Sequence, residues 1–141
     1  MKTLNNIAFF WIGPDTTIPT LLVRSIRIAF GPHFNVIQLS DRSTPRVEGV
    51  TSHKQFKLSP HIMVARLEAY AALSLTAPTL FLDADMLVLR PFDVDIHNRT
   101  VGTRQEFEEI RGAPEAVCLA HFKGRESKQV MREALSMLES G

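Results

Sequence analysis

Short hydrophobic runs alternate with segments of helical spacing along the first part of the chain. The runs at residues 7–12, 34–39 and 80–82 are short and apolar, which predicts buried strands. Apolar residues recur at helical spacing between them, which predicts two helices: one capped by Thr16 or Thr17 and ended by Gly31-Pro32, and one between Ser59-Pro60 and Ala77-Pro78. This order of elements predicts a parallel sheet with right-handed crossovers.

The same patterns continue with less regularity elsewhere. Residues 47–59 have no clear period and are predicted to form a brief strand and a loop. Further strands are predicted at residues 86–92, 100–104 and 116–122. Residues 105–114 are strongly charged, which is compatible with a helical turn or a mobile flap, and residues 126–139 predict an amphipathic helix. We therefore predict an α/β protein whose open, mostly parallel sheet is flanked by helices.

The amino-acid composition is typical of a globular protein. With 141 residues, 45% hydrophobic and 22% charged, we expect residues 1–141 to form one globular domain. A net charge of +1 gives no field for nucleic acid, and the basic residues at 53–57 are predicted to lie in a solvated loop. The single cysteine, Cys118, is predicted to be a buried, inert thiol. No segment is long and apolar enough to span a membrane, and we expect a cytoplasmic protein.

Two carboxylates interrupt the apolar run that ends the first part of the chain. Asp83 and Asp85 stand between the predicted strand at 80–82 and the apolar residues 86–89. Unpaired charge is costly in a core, so something must compensate this pair. In an extended segment the two side chains point to the same side, where their oxygens can bind one hard divalent cation. The sequence therefore predicts a metal site that is suited to a diphosphate.

The surroundings of these aspartates resemble a known family. Asp83-Ala84-Asp85 after a hydrophobic strand looks like the DxD motif of GT-A-fold nucleotide-sugar glycosyltransferases. Residues 64–67 and 79–89 together are similar to the glycogenin-like and lipopolysaccharide-galactosyltransferase-like group. The resemblance is good over residues 60–95 and looser over residues 6–138. It implies a GT-A-like fold and a metal-dependent, hexosyltransferase-like enzyme.

The resemblance also implies roles for particular residues. Asp83 and Asp85 would bind Mn²⁺ or Mg²⁺ and the diphosphate of a nucleotide-diphosphate sugar donor, and the acceptor is unknown. Arg66 stands where the family has an arginine that reaches the donor, although an exposed position paired to Glu68 or Glu106 suits it too.

The end of the first predicted strand is a second candidate part of the donor site. Ligands bind at this edge of open parallel sheets, and glycine lets backbone approach a nucleotide. Trp11 and Gly13 are therefore candidate donor-binding residues, although core packing suits Trp11 equally well. Asp15 and Asp41 face the same edge and are predicted to be turn residues.

His121 is a candidate third metal ligand. The family carries a late His-x-x-Gly-x-x-Lys motif whose histidine completes the metal site, and residues 121–128 look similar to it. The spacing differs, because Lys128 follows Gly124 by four positions where the family has three. A second alignment, with residues 116–122 as a strand that leads directly into a helix, leaves His121 merely near a strand end.

The catalytic base and the assembly state stay open. An inverting enzyme needs a carboxylate base, for which the clustered candidates are Glu106, Glu108 and Glu109. Family members usually have more chain after the DxD motif, so we expect a homodimer or a partner complex that covers residues 116–122.

The alternative function is a non-catalytic nucleotide-sugar-binding or scaffolding domain. A metal-dependent phosphohydrolase is a third option, which the absence of an aspartate at the end of the first strand disfavours.

Overall fold

Four parallel strands form the main sheet of this protein. The computed structural model describes residues 4–73, 77–92, 98–112 and 117–141. The strands are β1 (Asn6–Phe10), β2 (Asn35–Asp41), β3 (Ser52–Phe56) and β4 (Thr79–Leu82), in the spatial order β3-β2-β1-β4. All three neighbouring pairs are parallel, which confirms the predicted α/β class with a mostly parallel sheet.

Helices cover both faces of this sheet. They are α1 (Thr17–Phe30) and α2 (Ile62–Ala72). Successive side chains of a strand point to opposite faces, so β1 contributes to two cores. Phe9 is fully buried in a cluster with Leu22 of α1, whereas Ala8 lies in a cluster with Ala65 of α2. The fully buried central strand is typical of a sheet with helices on both sides.

A smaller mixed sheet follows the main one. Its strands are β5 (Met86–Val88), β6 (Asn98–Thr100) and β7 (Leu119–His121), in the order β5-β7-β6. Strand β7 is antiparallel to β5 and parallel to β6. Helices α3 (Arg104–Arg111) and α4 (Ser127–Ser140) bury Phe107, Met131 and Leu135 in a cluster with Phe122. This second unit places the end of β7 beside the turn that follows β4.

The sequence predicted an extended segment through the two aspartates, but in the structure the chain bends there. It turns at Ala84 and Asp85 and leaves the main sheet for the smaller one. The predicted strand at 86–92 is also too long, because β5 ends at Val88. Pro91 lacks the backbone N–H that a longer ladder would need. Residues 93–97, which the sequence assigned to a loop, lie outside the described residues.

The charged segment at 105–114 is mainly a regular helix. Thr103 caps α3, since its hydroxyl accepts a hydrogen bond from the Glu106 N–H and donates one to the Glu106 carboxylate. Phe107 and Ile110 are buried on its inner face. A strand was predicted at residues 100–104. The structure instead has β6 at Asn98–Thr100, and the residues from Arg104 onward belong to α3. Residues 113–116 lie outside the described part of the chain.

The basic residues at 53–57 belong largely to β3 rather than to a solvated loop. Strand β3 is an edge strand of the main sheet, with Lys54 and Gln55 exposed. Charged side chains on an edge strand disfavour pairing with another chain. The sequence predicted a brief strand somewhere in residues 47–59 but did not place it at 52–56, because residues 53–57 carry no apolar alternation.

The strand near the C-terminus is well covered. We expected its apolar side to be exposed, but Leu119 and Phe122 are almost fully buried. Phe122 packs in the cluster beneath α4, so this expectation is wrong and its argument for a homodimer is lost. Cys118 is buried, as predicted. Among the described residues, no helix is long and apolar enough to cross a membrane.

Hydrogen bonds at Asp41 predict a pH-dependent contribution to stability. The Thr44 hydroxyl, and then that of Ser43, hold the pKa of Asp41 below its ordinary value. A depressed pKa means that this stabilisation is present above the unfolded-state pKa and is lost as the pH falls. We expect Asp41→Asn to lower the melting temperature by a few degrees near neutral pH. The difference should stay constant above about pH 5 and shrink as the pH falls below about 4, through the lowered pKa of Asp41. Glu109→Gln is the exposed control, and a pH-independent difference for Asp41→Asn would contradict the assignment.

Candidate metal and ligand site

Three potential metal ligands converge where the two sheets meet. Asp83 and Asp85 follow β4, and His121 is the last residue of β7. One ligand atom from each of the three lies within 4.8 Å of the others. All three side chains are partly buried, with the Asp83 carboxylate 41% exposed and the His121 ring 16% exposed. The sheet edge therefore presents a compact donor set that remains open to a ligand.

The distances in this cluster fit a single small cation. His121 Nε2 lies 2.8 Å from Asp85 Oδ1 and 3.6 Å from Asp83 Oδ2. Neighbouring ligand atoms around an octahedral ion with bonds of about 2.1 Å are about 3 Å apart. Two carboxylates and one imidazole are ligands that divalent cations accept. The donor atoms thus need little movement to share one ion.

Backbone contacts place Asp85 and His121 together. Met86 is directly opposite His121 in the antiparallel β5–β7 pair. The Phe122 N–H donates a hydrogen bond to the Asp85 carbonyl, with a distance of 2.9 Å. The turn after β4 is therefore tied to the end of β7 by main-chain hydrogen bonds, whatever the side chains do.

Two basic side chains balance the carboxylates. Arg66 of α2 has its Nη2 3.4 Å from Asp83 Oδ1, and Lys128 of α4 has its Nζ 3.2 Å from Asp85 Oδ2. Lys128 also donates a hydrogen bond to the Phe122 carbonyl. Each carboxylate therefore contacts His121 with one oxygen and a permanent cation with the other.

The start of α4 directs Lys128 towards Asp85. The Ser127 hydroxyl donates to the carbonyls of Lys123 and Gly124, which closes the turn before the helix. Gly124 has a φ of +86°, a conformation that glycine adopts without strain. Lys128 then lies in the first helical turn. From this position its Nζ reaches Asp85 Oδ2.

A cavity of about 440 Å³ adjoins the cluster. Besides the five residues already named, it is lined by Phe10, Trp11, Ile12, Ile62, Met63, Tyr70, Leu82 and Ala84. The lining thus combines aromatic and aliphatic side chains with the carboxylates, the imidazole and the two cations. An organic ligand with one apolar and one anionic part would match this mixed lining.

Arg66 lines this cavity next to Tyr70. Its guanidinium lies 5.9 Å from the centre of the Tyr70 ring, in addition to its contact with Asp83. Burial raises the pKa of Tyr70, so the phenol stays neutral beside the cation. Among the described residues, Arg66 pairs with Asp83 rather than with Glu68 or Glu106, which accept hydrogen bonds from the Ser59 N–H and the Thr103 hydroxyl.

Of the two candidate residues after the end of β1, Trp11 lines the cavity and Gly13 does not. Trp11 lines it while also packing against the core next to α1, and its Nε1 donates to the Asp15 carbonyl. Both expected roles of Trp11 are therefore compatible with its position. Gly13 does not line the cavity; its φ is +139° and its N–H donates to the Thr44 hydroxyl.

The remaining acidic candidates lie elsewhere. Asp15 accepts hydrogen bonds from Thr17, and Asp41 accepts them from Ser43 and Thr44, which confirms both aspartates as turn residues. The clustered glutamates Glu106, Glu108 and Glu109 bond to neighbours on or next to α3 and do not line the cavity.

Sequence reasoning missed part of the cavity wall. Tyr70, Ile62 and Met63 recur at helical spacing, which made them indistinguishable from core residues of an amphipathic helix. Their exposure depends on α2 burying only its two alanines, Ala65 and Ala69.

Comparison with known proteins adds no identity, because no protein-family model and no curated protein matches this chain.

The contact between Lys128 and Asp85 predicts competition with a bound cation. A divalent ion on Asp85 must displace the ammonium group or share the carboxylate with it. We expect Lys128→Met to tighten Mn²⁺ binding in the absence of nucleotide, by a few-fold up to roughly tenfold. Titration calorimetry measures this effect. Lys123→Met, which removes an exposed lysine nearby, controls for the general loss of positive charge. Equal affinities of the two variants would show that the contact does not oppose the metal.

Proposed function

We propose that this protein binds a divalent cation and a nucleotide-diphosphate sugar, and that it transfers the sugar to an acceptor. The arrangement of side chains around the cavity supports this proposal. Asp83, Asp85 and His121 lie close enough together to bind one cation, and Arg66 and Lys128 contact the two aspartates. A diphosphate bridges readily to a cation and also pairs with fixed positive charges. The aromatic lining residues Trp11 and Tyr70 suit the nucleoside or the sugar.

Each residue of the site has its own role in this proposal. Asp83, Asp85 and His121 hold the cation, and Arg66 orients the diphosphate or the sugar through its planar donors. Lys128, once it leaves Asp85, adds a second positive charge on the diphosphate side. A cation held by these residues would supply Lewis-acid chemistry, which would offset negative charge on the leaving nucleoside diphosphate.

The donor set favours Mn²⁺ over Mg²⁺. Mg²⁺ is bound mainly by oxygen atoms and keeps several waters, whereas imidazole suits transition metals. A site with two carboxylates and one imidazole lies between these preferences. We therefore propose Mn²⁺ as the first cation to test, with Mg²⁺ as its comparison.

A non-catalytic nucleotide-sugar-binding or scaffolding domain is the second candidate. Among the described residues, the carboxylates that line the cavity are Asp83 and Asp85, and both belong to the metal ligands. An inverting transfer needs a further base near the acceptor. This observation favours either a mechanism without a separate carboxylate base or a domain that binds the donor without turning it over.

Titration calorimetry tests the proposed function. The purified protein is titrated with UDP, GDP, ADP and CDP, each with Mn²⁺ and with a chelator. We expect one nucleotide to bind well only with the metal. Hydrolysis or transfer from the matching nucleotide-sugar then distinguishes the enzyme from the binding domain. If no nucleoside diphosphate binds in the presence of metal, both candidates are wrong.

Asp85→Asn tests whether this cluster is the site. The change removes one charge and keeps the shape, and the main-chain bond to Phe122 remains. We expect the fold to survive and Mn²⁺-dependent nucleotide affinity to fall by at least about tenfold, because a charged ligand is lost. Circular dichroism and calorimetry measure the two properties. Glu109→Gln, an equivalent change on exposed α3, should bind like the wild type. Wild-type affinity in Asp85→Asn would place the site elsewhere.

Arg66→Ala tests the role of the guanidinium. Arg66 is 40% exposed and its ion pair with Asp83 is long, so its removal should change the melting temperature little. Nucleotide-sugar affinity should fall several-fold, and Arg66→Lys should restore only part of it because lysine lacks the planar fork. Arg104→Ala, which breaks an exposed helical ion pair with Glu108, is the matched control. A loss of stability that parallels the loss of binding would indicate a structural ion pair instead.

A further inference from the structure

The turn that follows β1 is tied to the rest of the protein at both of its ends. At its start, the Trp11 N–H donates a hydrogen bond to the Leu39 carbonyl of β2, with a distance of 3.1 Å. At its end, the Asp15 carboxylate accepts hydrogen bonds from the N–H and the hydroxyl of Thr17, the first residue of α1. The Trp11 indole N–H also donates to the Asp15 carbonyl. The position of the indole therefore depends on the backbone of this turn.

Thr44, from the loop after β2, holds the middle of the turn. Its hydroxyl accepts a hydrogen bond from the Gly13 N–H, with a distance of 3.0 Å, and donates one to the Asp41 carboxylate, with a distance of 2.6 Å. Because the carboxylate takes the hydroxyl hydrogen, a lone pair of the oxygen is left for the Gly13 N–H. Thr44 is 1% exposed, so both bonds are shielded from water. Glycine restricts its own backbone little, and the bond to Thr44 restricts it from outside.

The loop that presents Thr44 does not need the turn after β1 for its own structure. The Thr44 N–H is bonded within the loop. The fully buried Gln38 donates a hydrogen bond to the Pro45 carbonyl and accepts one from the Val47 N–H. These bonds fix the loop against β2. The hydroxyl of Thr44 thus joins a loop that is already held to a turn that is intrinsically mobile.

Trp11 is the residue through which this turn reaches the ligand cavity. Trp11 lines the cavity, whereas Gly13 and Thr44 do not. The indole N–H is already bonded to the Asp15 carbonyl, and an indole has no other polar atom. Trp11 is therefore suited to contact a ligand through its ring and not through a hydrogen bond. Ring contacts have preferred geometries, so they benefit from a ring that is held in place before the ligand arrives.

We propose that Thr44 is a positioning residue of the ligand site, which fixes the turn after β1 and thereby holds the Trp11 ring against the organic part of the ligand. Thr44 itself contacts no ligand in this role. The identity of the ligand rests on the proposed function, whereas the position of the ring does not. Without the hydroxyl, the ring would have to be ordered during binding, and this ordering lowers the affinity.

The fluorescence of Trp11 tests the positioning without metal or nucleotide. Trp11 is the single tryptophan of the chain, so tryptophan emission reports this ring alone. Thr44→Val keeps the shape of the side chain and removes both hydrogen bonds of the hydroxyl. We expect stronger quenching by acrylamide and lower anisotropy, because the ring becomes mobile. Thr44→Ser should restore the wild-type values. Ser43→Ala, which removes a hydrogen bond to the other Asp41 oxygen, is the matched control and should behave like the wild type.

Ligand binding, measured by titration calorimetry, tests the consequence for the site. With Mn²⁺ present, Thr44→Val should bind the nucleotide or nucleotide-sugar about fivefold more weakly than the wild type. Its affinity for inorganic pyrophosphate with Mn²⁺ should be unchanged, because pyrophosphate has the charges of the ligand but no ring. A loss already present with the nucleoside diphosphate assigns Trp11 to the nucleobase, and a loss confined to the nucleotide-sugar assigns it to the sugar.

Asp41→Asn supplies a second variant if Thr44→Val does not fold. It weakens the hold on the Thr44 hydroxyl from the other side and leaves the hydroxyl in place. We expect smaller changes in the same direction, both in the quenching of Trp11 and in nucleotide affinity.

Three results would overturn the proposal. The first is wild-type quenching and anisotropy in both Thr44→Val and Asp41→Asn. The second is an equal loss of affinity for pyrophosphate and for nucleotide, which would indicate a general structural defect. The third is a mobile Trp11 ring with unchanged affinity for nucleotide and nucleotide-sugar. A protein that shows the expected quenching but binds no nucleotide would refute the proposed function and leave the positioning of Trp11 by Thr44 standing.

Discussion

The candidate site depends on the way Asp85 joins the two sheets. Its main-chain carbonyl accepts a hydrogen bond from Phe122, while its carboxylate contacts His121 and Lys128. The main-chain bond fixes the distance between the turn after β4 and the end of β7. The side-chain contacts compensate a charge that would otherwise be costly in a partly buried position. Without this junction, the two aspartates would face a sheet edge with no third ligand.

Helix α2 connects the site with the surface of the protein. It packs on the main sheet through two alanines, and this small contact leaves its larger side chains free for other contacts. Helix α2 supplies Ile62, Met63, Arg66 and Tyr70 to the cavity, whereas its Val64 and Leu67 are exposed outside it. A helix that were more deeply buried could not provide both surfaces.

Much of the fold was predictable because it follows from local patterns. The apolar runs and helical spacings identified the strands β1, β2 and β4 and the helices α1, α2 and α4, since burial on a sheet face or beneath a helix imposes those periods. The charged helix α3 and the edge strand β3 were missed or left open. Their backbone conformations depend on packing at a few positions, such as Phe107 and Ile110, and on strand pairing, which a weak local pattern does not reveal.

The sequence by itself determined that Asp83 and Asp85 stand together at the end of an apolar strand, and that Arg66 lies on the preceding helix. The tertiary structure decided the rest of the site. It turned the chain at Ala84, paired β5 with β7, and so brought His121 and Lys128 to the aspartates from far along the chain. Sequence periodicity reports only neighbours along one element. Contacts between distant segments follow from strand pairing and core packing, which is why the sequence could not place His121 beside the aspartates.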